Sequence, residues 1–189
     1  MKHGIYTCVI LMAFLALSES VYAVVPVLTV ASDTIRRVVI YFDQEEIDVD
    51  FRYKTNNKVL DSLLEERINS RYITALNVVT FVSPDGDSVY NAALSVRRNN
   101  SMREFLRQRY PYVDAENIKL TSEGEDWSEL RKLVASDSDL PDREEVLMLI
   151  DYHRDNIVKR KELLQKLNQG MAYRYIVRNV LPKLRRAEI

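Results

Sequence analysis

Runs of β-branched and aromatic residues alternate along this chain with segments of helical period, and that alternation restricts the fold more than any other feature. Val38-Val39-Ile40-Tyr41-Phe42 reads as a strand that stops at Asp43. Residues 44–53 alternate only in part, through Ile47, Val49, Phe51 and Tyr53. The acidic residues between them suggest an exposed edge or a loop. Asn56-Asn57 offers a helix cap, after which Val59, Leu60, Leu63, Leu64 and Ile68 recur at helical spacing, with Glu65 and Glu66 opposite. Tyr72 to Val82 is a second strand. Ser83-Pro84-Asp85-Gly86-Asp87-Ser88 has the chemistry of a turn. A helix from near Val89 to about Arg109 follows, with Tyr90, Ala93, Leu94, Met102, Phe105 and Leu106 as its apolar face and Pro111 as its stop. Ile118-Lys119-Leu120 is a short third strand. An order of β-α-β-α-β calls for a sheet with helices packed on one or both faces.

After Gly124 the pattern changes. Trp127 to Val134 reads as a short helix, and Asp142 to about Leu167 as one longer helical stretch ended by Gly170. Met171 to Val180 is another helix that closes before Pro182, and Lys183 to Ile189 is a last strand. Trp127 is expected to anchor these helices on the sheet core, because a Trp buries so much apolar area. Charge is uneven: 123–155 is mainly acidic, while Lys159-Arg160-Lys161 and 174–186 are basic. Pairing between solvated helix faces explains this.

The first residues read as an export signal. Lys2 and His3 precede an apolar run from Ile5 to Leu17, and Val21 and Ala23 sit where a signal peptidase reads. The run is shorter than the roughly 20 residues a membrane-spanning helix needs. Cleavage is expected after Ala23, leaving a single domain over 24–189 with no transmembrane span. Cys8, the one cysteine, leaves with the signal, so neither a disulfide framework nor a lipid anchor is expected. The net charge stays −1 when Lys2 and Glu19 are removed, which does not favour nucleic acid as a partner.

Familiar catalytic patterns are missing. His153 stands alone after signal removal, so neither a zinc set nor a Ser-His-Asp arrangement is supported. There is no Gly-x-Ser-x-Gly, phosphate loop or dinucleotide fingerprint. No cofactor and no metal are expected. Carboxylates are abundant, but no pair stands out.

The specific stretch runs from the second strand into its helix. Gly86, Tyr90-Asn91, Leu94-Ser95 and Arg98 fall in register with a turn glycine followed by Asn-x-x-Leu-Ser-x-x-Arg. Phe42-Asp43 closes the first strand, and Leu184-Arg185-Arg186-Ala187-Glu188-Ile189 is similar to a closing Asn-Arg-Arg-x-Glu-Ile strand. Together these resemble the OmpA-like domain that attaches outer-membrane and motor proteins to peptidoglycan, over about 37–189.

The resemblance implies an α+β two-layer sandwich with a helical insertion, about 127–180, before the last strand. Gly124-Glu125-Asp126-Trp127-x-x-Leu130 resembles a divergent envelope branch that carries such an insertion. It also implies a periplasmic or outer-membrane-associated binding module whose ligand is the diaminopimelate side of a stem peptide. In that reading Arg98 grips a carboxylate with its planar fork and Asn91 hydrogen-bonds the ligand, while Asp43 borders the pocket. The family's strand ends in Gly-x-Thr-Asp, whose aspartate falls on Ser83 here, with Asp85 the nearest acid two residues on. The glycine before that pair is Thr80, and the closing asparagine is Leu184. The candidate ligand set is therefore Asp43, Ser83, Asp85, Asn91 and Arg98. Two other readings stay open: a structural or protein-interaction component of an envelope assembly with a decayed pocket, and a hydrolase using unmarked carboxylates.

Overall fold

The computed structural model of the chain describes residues 36–69 and 73–189, with only the backbone of 63–69. The expected signal over 1–23 and Tyr72 lie outside the described residues. The fold is α+β. Strands β1 (Val39–Tyr41), β2 (Leu76–Val82), β3 (Ile118–Glu125) and β4 (Arg186–Glu188) form a sheet in the order β1-β4-β2-β3. Helix α1 (Asn56–Asn69) joins β1 to β2, and α2 (Ser88–Arg109) joins β2 to β3. Helices α3 (Trp127–Ser136), α4 (Arg143–Tyr152), α5 (Ile157–Lys166), α6 (Met171–Asn179) and the short α7 (Leu181–Leu184) lie between β3 and β4.

The pairing decides where a site can form. β2 and β3 are parallel, and β4 runs antiparallel to both β1 and β2, with Ile40 and Thr80 both opposite Ala187. The carboxyl ends of β1, β2 and β3 therefore gather at one end of the sheet, where β4 begins at Arg185-Arg186. Open sheets place their ligands outside that end. A bulge sits there too: Thr80 faces Ser122, but Phe81 faces Gly124, so Glu123 is the extra residue. Gly124 holds φ at +68°, a conformation that only glycine adopts without strain.

The exposed side of β1 is closed by a side chain. Asn56 is fully buried, and its Oδ1 accepts from the Tyr41 amide at 2.8 Å while its Nδ2 donates to the carbonyls of Tyr41 and Asp50. The expected capping role of Asn56 is thus replaced by pairing with the sheet edge at Tyr41. Residues 44–53 form turns rather than a strand.

Two apolar clusters hold the chain together. One is built on Ile40, Phe42, Val78, Met102, Leu106 and Ala187, between the sheet and its helices. The other lies within the insertion, on Leu130, Val134, Val146, Leu164, Ile176 and Leu181. Trp127 packs against this second cluster, not against the sheet core. It is fixed to the end of β3 by donating Nε1–H to Glu125 at 3.1 Å, with the Arg160 guanidinium 4.4 Å above its ring.

Four expectations need correction. The single helix from Asp142 to Leu167 is two helices, because Asn156 accepts from the Lys159 amide and starts α5 afresh. The β3 strand runs on through Ser122 to Glu125, drawn by pairing with β2. Residues 181–184 form a helical turn with Pro182 in its first turn, so β4 is shorter than expected. On α2, Tyr90 and Ala93 face outward, and the buried face includes Asn91, Ser95, Arg98 and Asn99.

Candidate functional site

The polar face of α2 is pinned to the sheet by a buried seam. Thr80 is fully buried and donates Oγ1–H to the Ser95 carbonyl, and Ser95 accepts from Ser122 at 2.6 Å. Asp87 caps α2 by accepting from the Tyr90 amide at 2.7 Å, which fixes the first turn of the helix against the end of β2. One and two turns further on, Asn91, Leu94 and Arg98 point at the carboxyl end of the sheet.

There the chain encloses a cavity of about 350 Å³. Val82, Ser83, Asp85 and Gly86 form its floor, and Tyr90, Asn91, Leu94 and Arg98 of α2 its side. Gln44 and Glu45 from the loop after β1, Tyr173 and Val177 of α6, and Arg185 before β4 complete the wall. Ser83, Asp85, Asn91 and Arg98 are thus brought together as the sequence indicates. Asp43 is not among the lining residues: it is exposed, its carboxylate accepts from the Gln44 amide, and only its carbonyl meets Arg98.

Arg98 is fully buried. Its Nε donates to the Glu46 carbonyl at 2.8 Å, its Nη2 to the Asp43 carbonyl at 2.9 Å, and its plane lies 4.7 Å from the Phe42 ring. Nη1 is buried with no hydrogen-bond partner, and among the described residues no carboxylate pairs with this cation. Burial above all, and then the charge of Arg185, pull its pKa down to about 10. An unneutralised guanidinium in such a place costs the fold free energy, which an incoming anion would recover.

The other predicted residues arrange the turn. Ser83 donates its hydroxyl proton to the Asp85 carboxylate. Asn91 Nδ2 lies within hydrogen-bond distance of the carbonyls of Ser83 and Asp85 and of Glu125 Oε1. Two amide hydrogens facing three acceptors leave none for a ligand, so Asn91 positions the turn. Lys161 from α5 closes the same network, giving its three donors to the Gly86 carbonyl, Ser88 Oγ and Glu125.

Sequence reading missed Arg185, Tyr173, Val177 and Lys161 as parts of this site. Arg185 stood in the closing motif and Lys161 in a basic triplet, but neither signal points to the cavity by itself. Among the described residues no group of His, Cys, Asp and Glu could hold a metal ion, and no helix is long and apolar enough to cross a membrane. Comparison with protein-family models and with curated proteins finds no match for this chain.

Proposed function

We propose that this chain is a non-catalytic module of the cell envelope, exported by its N-terminal segment, that binds peptidoglycan through a stem-peptide carboxylate held by Arg98. One observation carries the reading: Arg98, which lines an open cavity, is a fully buried guanidinium that no carboxylate pairs with among the described residues, and its Nη1 has no acceptor. A carboxylate oxygen is the charged acceptor that the remaining Nη1 suits. The motif around Asn91 and Arg98 adds the ligand class through its resemblance to the OmpA-like domain. In this reading Ser83, Asp85 and Asn91 shape the floor, and a covalent step has no place.

Sedimentation with purified peptidoglycan sacculi tests it. The protein is expected to pellet with the sacculi, and Arg98→Lys is expected to pellet about tenfold less well, since a point charge replaces a fork. Arg98→Lys keeps the cation over Phe42, so a retained melting transition separates lost binding from lost folding. A wild-type protein that stays in solution while folded would overturn the reading in favour of a component of an envelope assembly with a decayed pocket. Release of soluble wall fragments would overturn it in favour of a hydrolase.

A further inference from the structure

Two arginines stand side by side where β4 begins, and they are treated very differently. Arg186 is buried and neutralised twice: its Nη2 meets Asp126 at 2.9 Å and its Nε meets Glu188 at 2.9 Å, with Phe81 4.2 Å away. Arg185 is also buried, at 7% exposure, yet no acceptor reaches its guanidinium among the described residues. Its Nε has no partner among the described residues; Arg186 also leaves its Nη1 without one, but it has Asp126 and Glu188 beside it. Successive residues entering a strand point to opposite sides, so Arg186 turns to the end of β3 and Arg185 to the cavity.

Arg185 therefore lines the same cavity as Arg98, and each carries a buried nitrogen without an acceptor. They are near enough for the charge of Arg185 to be the second cause of the lowered Arg98 pKa. Two like charges lining one cavity repel each other, and an anion seated between them would relieve that cost. The carboxylates on that wall do so only in part: the charge of Asp85 raises the Arg98 pKa, but it ranks below the opposing charge of Arg185. Asp85 is held by Ser83, and neither Asp85 nor Glu45 forms an ion pair with either guanidinium among the described residues.

Resting on the carboxylate reading above, we propose that Arg185 is a second anion-binding residue, and that the ligand carboxylate bridges the two guanidiniums with one oxygen on each. Val82, Leu94 and Val177 line the same space. They suit a carboxylate borne on a short aliphatic stem, such as the end of a peptide, over a bare inorganic anion.

NMR titration with N-acetylalanine and with its primary amide, which keeps the shape and removes the charge, tests the bridge. The wild type is expected to prefer the acid by about tenfold, as charge-assisted bonds to two forks require. Arg185→Gln is expected to reduce that preference at least about threefold, with Arg185→Lys in between. The acid-to-amide ratio cancels any general loosening of the fold, so a variant that merely binds both probes less well does not mimic the effect. An unchanged ratio in Arg185→Gln would overturn the bridge, even with the protein still bound to sacculi. A wild type that shows the acid preference but ignores sacculi would keep the bridge and overturn the peptidoglycan reading.

Discussion

The sheet half and the helical insertion bury different kinds of residue. The cluster inside the insertion is aliphatic throughout, from Leu130 to Leu184. The sheet half buries Asn56, Thr80, Ser83, Asn91, Ser95, Arg98 and Asn99 beside its apolar cluster. The buried charges of the insertion helices, Arg160 and Lys161, sit where they meet the sheet: Arg160 covers Trp127 and Lys161 binds the Gly86 turn. The insertion is thus a scaffold. Its own interior asks for nothing but packing, whereas the polar burial, which is costly to build, lies on the sheet side, where Ser83, Asn91 and Arg98 line the cavity.

The largest effect should come from cutting the tie between the halves. The Lys161–Glu125 pair is about nine-tenths buried on both sides. Lys161→Met would strand the Glu125 carboxylate with only Asn91 and Trp127 as donors. Removing one member of a buried pair costs about 3–5 kcal/mol. A urea titration should show that loss, and Lys161→Met combined with Glu125→Gln should regain most of it. A single variant as stable as wild type would mean the tie is ornamental and the insertion docks by its apolar face alone.

A smaller effect sharpens the same contrast. Ile176, 2% exposed, sits in the insertion cluster, and Ile40, fully buried, sits on β1 in the sheet cluster. Either isoleucine cut to alanine should cost about 2–5 kcal/mol. Both should shift one shared unfolding transition, because β4 follows the insertion in sequence and Arg186 joins β4 to Asp126 at the start of α3. Calorimetry that shows two transitions, each moved by one variant only, would make the halves independent.

How far the sequence reveals this division follows from the same contrast. The strands of the sheet were legible because Val39, Ile40, Val78 and Val79 are β-branched and flanked by turn chemistry. The resemblance carried by Asn91 and Arg98 led to half the cavity, because the residues it singles out lie on α2 and in the turn just before it. The other half was hidden for a topological reason. Tyr173 and Val177 belong to the insertion itself and Arg185 follows it, so no local pattern relates them to Arg98. The α2 face misled, because Tyr90 and Ala93 keep the helical period of an apolar stripe while Asn91, Ser95 and Arg98 take the buried positions. Asn156 was overlooked because the apolar period of 142–167 runs on across a cap whose effect is purely local.

The smallest expected effect lies on a second contact between the halves, and its sign distinguishes attraction from repulsion. Lys54, in the turn before α1, donates to the Pro182 carbonyl at 2.6 Å and sits 4.4 Å from the Tyr41 ring. Burial first, then the charges of Arg185 and Lys183, pull its pKa down to about 8, against an ordinary value near 10.5. Between those two values the unfolded chain holds the proton and the folded chain does not, so stability rises with pH across that window. The charged lysine is therefore a burden below pH 8 that lifts as pH rises toward 10.5. Urea midpoints of wild type and Lys54→Gln should diverge in favour of wild type between pH 7.5 and 9.5. An anion seated between Arg98 and Arg185 should flatten this slope, because it offsets the positive charge that helps to depress Lys54. A slope that is the same with and without N-acetylalanine would mean that Lys54 responds to its own burial and not to the charge of the cavity.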